Sequence, residues 1–334
     1  MLFDVADQVG VLLHPLRLIR FRMKRDRLLA PYTTPFYLPH SFSRASLLPM
    51  QIDEPKRRRW LAWGWRLVRL PLIAIVGLAL MLTTLQDKML HYPERLEAGE
   101  ALRQASGLRL TPWPVSEETR GWLREPPSAP VGTLVLFHGN GGHALHRAWL
   151  ADVLVERGYR VVLAEYPGYG HRSGTALDEA SLVKDAVETI RRLRAAYPGR
   201  LIVAGESLGA GVAAATLAQV GKEVDAVLLI TPWNRLAEAA AQHYPWLPVG
   251  MLLRDRYDSV ANLRGFVGPK MVIVAGDDQV IPAPLGLDLY QQLPEPRRLL
   301  TLPGTGHNDW MDAMTPAHWR QTLDFLNGSA SGRP

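Results

Sequence analysis

Residues 200–218 read RLIVAGESLGAGVAAATLA, and the fold turns on this stretch. Arg200–Gly205 is a short β-rich run, and from Leu208 onward the residues are small, apolar and suited to a helix packed closely on a sheet. Between them stands Gly205-Glu206-Ser207-Leu208-Gly209, a G-x-S-x-G pattern. In that pattern a sharp strand-to-helix turn presents a serine oxygen, and the glycines relieve crowding by neighbouring backbone. The five letters alone are only suggestive. Their strand–turn–helix setting makes them a nucleophile elbow rather than an ordinary tight turn.

The same rhythm continues on both sides. Runs at Gly132–Phe137, Tyr159–Glu165, Ala226–Thr231, Lys270–Ala275 and Arg298–Leu302 predict further strands. Between Ala176 and Tyr197, Leu182, Ala186, Ile190, Leu193 and Tyr197 mark one helix face, with Thr175 and Asp178 spaced to cap its start. Alternation of this kind predicts an α/β fold with a mostly parallel central sheet and helices on both faces. Chemistry is then expected just beyond the carboxyl ends of the strands.

Two more strand ends carry chemistry. His138-Gly139-Asn140-Gly141-Gly142 follows TLVLF, and a glycine-rich turn there can aim a backbone N–H at a developing oxyanion. The second donor would come from Leu208, the residue after the serine. Farther on, VIVAGDDQVIP is followed by LPGTGHNDW, which gives the chain order Ser207, an acid at Asp277 or Asp278, and His307. In that arrangement the histidine takes the serine proton while a buried carboxylate fixes its tautomer. His138, His143 and His146 have no carboxylate beside them in the chain, so no metal is expected. Gly168–Gly174 has the wrong spacing for a dinucleotide loop and reads as a turn bordering the site. No cofactor is expected.

Composition narrows the class. The 334 residues are 47% hydrophobic and 21% charged, which excludes a disordered or fibrous chain, and the absence of Cys excludes a thiol nucleophile. Residues 1–59 hold 11 Lys+Arg against 5 Asp+Glu, whereas the remainder holds 27 of each. The basic excess thus lies in the tail rather than on a folded surface, and a nucleic-acid partner is not expected.

From Leu70 to Gln86 no residue is charged. The 16-residue run LPLIAIVGLALMLTTL reaches about 24 Å as a helix, short of a hydrocarbon core of roughly 30 Å. Extending it back to Trp60, with Arg66 and Arg69 snorkelling, supplies the rest. The expected organisation is a basic tail over 1–59, a transmembrane anchor over 60–86 and a catalytic domain over 87–334. Within the tail, 11–27 has the spacing of an interfacial helix and 31–55 reads as linker. Six Lys or Arg before the run against three after it place the N-terminus in the cytoplasm and the catalytic domain outside it. The lipid bilayer is therefore an expected partner.

Taken together, His138-Gly-Asn-Gly, EYPGYGHRSG, GESLG, YPWLPVGMLLRDRYDS, GDDQVIP and GHND resemble the α/β-hydrolase superfamily. Within it they are most similar to serine-aminopeptidase-like and bud-emergence-type hydrolases, many of which carry one N-terminal anchor. The resemblance covers about residues 86–328. It implies an α/β-hydrolase fold with Ser207 as nucleophile, His307 as base and Asp278 as acid, the last through the Asp-x-x-Val/Ile-Pro pattern. Asn140 and Leu208 match the oxyanion-hole positions.

The insertion at 234–269 is too short for a large cap, so an open pocket is expected. Trp233 and Trp246 are candidates to line an acyl-chain pocket with the apolar residues around them. The implied reaction is hydrolysis of a small acyl ester or lipid through an acyl-enzyme. A peptidase or thioesterase on the same triad, or a non-catalytic membrane-anchored binding module, are the alternatives.

Overall fold

A computed structural model of the chain describes residues 54–328 apart from 116–117 and 175–176. The tail helix and linker read at 11–27 and 31–55, and Thr175, fall wholly or mainly outside the described residues. The chain divides into residues 1–61, of which only the first turns of one helix are described, and Ala62–Pro334, which holds the rest of that helix and every other element below.

Eight strands form one sheet: β1 (Thr111–Trp113), β2 (Gly121–Arg124), β3 (Gly132–Phe137), β4 (Tyr159–Ala164), β5 (Leu201–Glu206), β6 (Ala226–Ile230), β7 (Lys270–Ala275) and β8 (Arg297–Leu302). Their order is β8-β7-β6-β5-β3-β4-β2-β1. From β8 to β4 every pairing is parallel; β2 joins β4, and β1 joins β2, antiparallel. The six strands expected from sequence are β3 to β8, with ends that move by one residue at most.

The central strands β3, β5, β6 and β7 read as nearly continuous apolar runs because both faces are covered. Val135, Phe137, Val203, Val227, Leu229 and Val272 point to one core. Leu134, Leu136, Ile202, Ala204, Leu228 and Met271 point to the other. On the first face lies the helix Glu179–Ala196, which buries Leu182, Ala186, Ile190 and Leu193 as its spacing requires. Its N-cap is Asp178, whose side chain accepts from Ser181 N–H at 2.8 Å, so the cap falls on the acid itself.

The sheet sets the place of the site. β4 is laid down on one side of β3 and β5 on the other, so the winding reverses between β3 and β5, where such sheets form their crevice. Phe137 at the end of β3 is in register with Gly205 near the end of β5. The two loops that carry chemistry therefore leave the sheet side by side.

The segment expected as the 60–86 anchor lies inside a 37-residue helix, Glu54–Leu90, which contains Pro71. Among the described residues no helix is long and apolar enough to cross a membrane. Arg66 and Arg69 bound the apolar run at its start, and the described side chains of that run, from Leu70 to Met81, include many large exposed apolar groups. At the other end of the helix, Gln86 is buried and accepts from Arg254 N–H at 2.8 Å, while Asp87 pairs with the Arg254 guanidinium.

Candidate active site

Ser207 occupies the turn between β5 and the helix Leu208–Val220, with φ 54° and ψ −115°. A side-chain-bearing residue rarely adopts this conformation, and holding it costs on the order of 1–3 kcal/mol. The surrounding glycines make it possible. A Cβ on Gly205 would stand 2.1 Å from Gly209 O, and one on Gly209 would stand 2.0 Å from Phe137 O. Only bare backbone lets strand, turn and helix approach this closely, which is the physical content of the G-x-S-x-G spacing.

His307 and Asp278 arrive from the ends of β8 and β7. Ser207 Oγ lies 3.0 Å from His307 Nε2, and His307 Nδ1 lies 2.6 Å from Asp278 Oδ2. An ionised carboxylate only accepts, so Nδ1 carries the proton in this arrangement and Nε2 is left to accept from the serine hydroxyl. The other Asp278 oxygen accepts from Val280 N–H at 2.8 Å and Ile281 N–H at 2.7 Å. Asp278 is buried, whereas Asp277 is exposed. Of the two acids left open by spacing alone, the fold brings Asp278 to the histidine.

The loop after β3 packs against the same serine. A Cβ on Gly139 would stand 3.7 Å from Ser207 Cβ. The loop is braced from below: buried Glu165 faces His138 Nε2 at 3.1 Å and accepts from Ala144 N–H at 3.2 Å, and the Tyr166 hydroxyl donates to His138 O at 2.9 Å. Tyr169 donates to Asn140 O at 3.0 Å, and the Asn140 side chain donates to Leu90 O at 3.3 Å. Burial pushes both tyrosine hydroxyls above their ordinary pKa, which keeps them donors. With its carbonyl and side chain engaged, Asn140 keeps an N–H that donates to no described acceptor. Leu208, first in its helix, has an N–H with no partner inside the helix. The Gly168–Gly174 segment is thus a brace for this loop.

A family model described as serine aminopeptidase, S33 matches residues 128–259, a span that includes Ser207 and Asn140 but not Asp278 or His307. An uncharacterized protein of Mycobacterium tuberculosis is 33% identical over 259 residues, covering 72% of this chain and 88% of the relative. The chain belongs to the α/β-hydrolase superfamily. A solved structure of the Pyrococcus furiosus esterase Pf2001 superposes with a TM-score of 0.53 at 17% identity, over 72% of this chain and 98% of that one; it shares the fold. The lysophosphatidylserine lipase ABHD12 of Danio rerio is 29% identical over 188 residues, about half of each chain.

In this α/β hydrolase the elbow residue Glu206 has a partner that sequence reasoning missed. Arg147, at the end of a short turn of helix after the β3 loop, donates from Nε to Glu206 Oε2 at 2.7 Å and from Nη2 to Oε1 at 3.0 Å. Burial alone pushes the Glu206 carboxyl up, but Arg147 more than offsets this and holds it below the usual glutamate range. The pair fastens the β3 loop to the elbow and leaves no net charge beneath the serine. The two residues are 59 apart in sequence, and neither shows a local pattern that would have paired them.

The hydrolase also has an apolar pocket of about 120 Å³, lined by Leu90, Tyr244, Leu247, Val249, Leu252 and Leu253 among others. Two hydrogen bonds run from its surroundings toward the site. Leu90 O holds the Asn140 side chain, and His243, next to Tyr244, contacts Val280 O at 2.8 Å, two residues from Asp278. Trp233 does not line it: that ring is buried against Tyr257 and Gly211, with Nε1 donating to Tyr257 O at 3.2 Å. Trp246 is 68% exposed and also stands outside it. A larger hollow of about 990 Å³, lined by charged residues such as Arg120, Glu179, Lys184 and Asp185, includes no member of the Ser207–His307–Asp278 set.

Proposed function

We propose that this α/β hydrolase is a serine esterase acting on lipid-like acyl esters, with Ser207 as nucleophile, His307 as general base and Asp278 as its orienting acid. The observation that carries the reading is the continuous relay from Ser207 Oγ to His307 Nε2 and from Nδ1 to Asp278, hung on a strained elbow. In the proposed reaction Ser207 Oγ attacks the ester carbonyl carbon while His307 takes the hydroxyl proton. The oxyanion receives hydrogen bonds from the N–H groups of Asn140 and Leu208. Collapse of the tetrahedral intermediate expels the alcohol, which leaves with the His307 proton, and an acyl group stays on Ser207. Water then attacks that acyl group by the same route and releases the acid.

An acyl chain is proposed for the pocket by Leu90, Tyr244 and Leu252, because its lining is apolar and it abuts Asn140 through Leu90. The lipase name of the Danio rerio relative points the same way. The full chain, purified in detergent, should hydrolyse nitrophenyl acyl esters, and Leu252→Trp should depress long-chain turnover at least about tenfold while sparing acetate and butyrate. Equal losses at all lengths would remove the acyl chain from this pocket. The serine-aminopeptidase description of the family model supports a second reading, amide cleavage. Aminoacyl nitroanilides run beside the esters separate the two, and faster anilide turnover would favour the peptidase.

The location is likewise a proposal. Support for a bilayer contact comes from the uncharged run between Leu70 and Gln86 and from the exposed apolar side chains along it. The same helix ends at Leu90 on the pocket, so the exposed apolar run and the proposed acyl pocket share one element. We place the catalytic domain outside the cytoplasm on the excess of Lys and Arg before the run. A reporter fused after Pro334 that functions only outside the cytoplasm should be active; activity of a cytoplasm-only reporter instead would reverse the orientation.

A further inference from the structure

Glu94 and His143 are 49 residues apart in sequence, yet the fold sets them together beside His146. Spacing along the chain offers these histidines no carboxylate. The short parallel pairing of Tyr92–Pro93 with Gly141–Gly142 supplies one. His143 Nε2 lies 3.8 Å from one oxygen of the Glu94 carboxylate, and His146 Nε2 lies 3.8 Å from the other. One donor atom from each of the three residues falls within 4.8 Å of the other two. His138 takes no part, since its ring nitrogens face Gly139 O and Glu165.

The bonding of these side chains within the protein is incomplete. His143 is 2% exposed, and its Nδ1 is buried without a hydrogen-bond partner. At 3.8 Å its Nε2 is too far from Glu94 for a hydrogen bond. Among the described residues, neither His146 nor the Glu94 carboxylate makes a side-chain hydrogen bond. A buried imidazole left in this state costs about 1–3 kcal/mol. An ion held on Nε2 would give this ring a partner, with Nδ1 still buried behind it.

We propose that Glu94, His143 and His146 bind one divalent transition-metal ion of the zinc class, with a fourth position open to water. Two imidazoles and one carboxylate are a donor set that zinc takes readily, whereas calcium and magnesium favour oxygen alone. Bonds of about 2.0–2.2 Å bring tetrahedral donors to roughly 3.3–3.6 Å apart, so the two 3.8 Å separations from Glu94 must shorten by a few tenths of an ångström and the two imidazole donors, within 4.8 Å, must also draw together. Glu94 and His146 stand about half-exposed at the rim, where their side chains are free to close these gaps onto buried His143.

The ion acts as a clamp. Tyr92 N–H donates to Asn140 O at 2.9 Å and Glu94 N–H to Gly142 O at 3.2 Å. Metal binding therefore ties the 92–94 segment to the loop that carries Asn140. Its ligands are not the triad residues, and the inference does not rest on the esterase reading.

The test is zinc titration of the full chain, purified in detergent without a histidine tag and stripped with a chelator, followed by calorimetry. One zinc per chain is expected, with a rise in Tm on binding. Glu94→Gln and His143→Ala should each weaken binding by about 10- to 100-fold or more. His318→Gln, away from the cluster, should bind as the wild type does. Because Glu94 is on the surface, Glu94→Gln is expected to fold, with circular dichroism as the check, and it decides the matter if His143→Ala does not. Absence of stoichiometric zinc on the folded wild type would overturn the proposal, as would equal affinity in Glu94→Gln.

Discussion

Replacing Ser207 by alanine should lower kcat for ester hydrolysis by roughly 10⁴- to 10⁶-fold while leaving the fold intact. The size of the effect follows from the relay. Without the hydroxyl, His307 has no proton to remove and no acyl-enzyme can form, so only binding and the two proposed oxyanion donors remain. The fold should tolerate the change because the strain at φ 54° belongs to the elbow backbone, which alanine adopts at much the same cost as serine. Steady-state kinetics with a nitrophenyl ester, and a melting curve beside it, measure both halves of the expectation. A variant that keeps a tenth of wild-type turnover would mean another group does the chemistry.

The largest expected effect on stability comes from Arg147→Ala. This substitution removes both donors from a carboxylate that is 6% exposed and leaves Glu206 charged and unpaired beside the elbow. Breaking a buried ion pair from one side costs about 3–5 kcal/mol, a large part of the roughly 5–15 kcal/mol that holds a domain together. The double change Arg147→Met with Glu206→Leu should recover most of the loss, since it removes the orphaned charge as well. Urea unfolding of the three proteins decides it, and a loss below about 1 kcal/mol in Arg147→Ala would contradict the argument.

The pH dependence of that loss has a definite sign. Glu206 is held below its ordinary value of 4.5, so the contribution of the pair is complete above that pH and is lost as pH falls through the lower folded value. In Arg147→Ala the unpaired acid becomes easier to protonate, which relieves the penalty in acid. The gap between the two proteins should therefore be widest near neutrality and narrow below pH 4.5.

Much of this architecture was legible in the sequence because the strands are buried on both faces. A run such as LIVAGE at the end of 200–206 admits few other readings, and its glycines mark where backbone meets backbone. Ser207, His307 and an acid at 277 or 278 were legible as candidates for a related reason: each lies within about five residues of a strand end, and the family-like Asp-x-x-Val/Ile-Pro pattern, not spacing, pointed to Asp278. β1 and β2 escaped because they are three and four residues long, and Pro112 sits within β1.

What local reading could not reach was pairing at a distance. Arg147 and Glu206, or Glu94 and His143, meet only because strands far apart in the chain share one sheet edge or pairing. Trp233 and Trp246 were expected to line an acyl-chain pocket with the apolar residues around them. Trp233 instead fills the core against Tyr257, and Trp246 faces solvent. The apolar lining came from smaller neighbours, Leu247, Val249 and Leu252, with Leu90 from the end of the long helix.

The proposal that Ser207 is the nucleophile is tested most directly by trapping it. The full chain would be treated with an alkyl fluorophosphonate, digested, and mapped by mass spectrometry. One phosphonyl group on the peptide containing Ser207 is the predicted result, with none on the Ser207→Ala protein. A folded wild type that takes no label, or that takes it on another residue, would contradict the account.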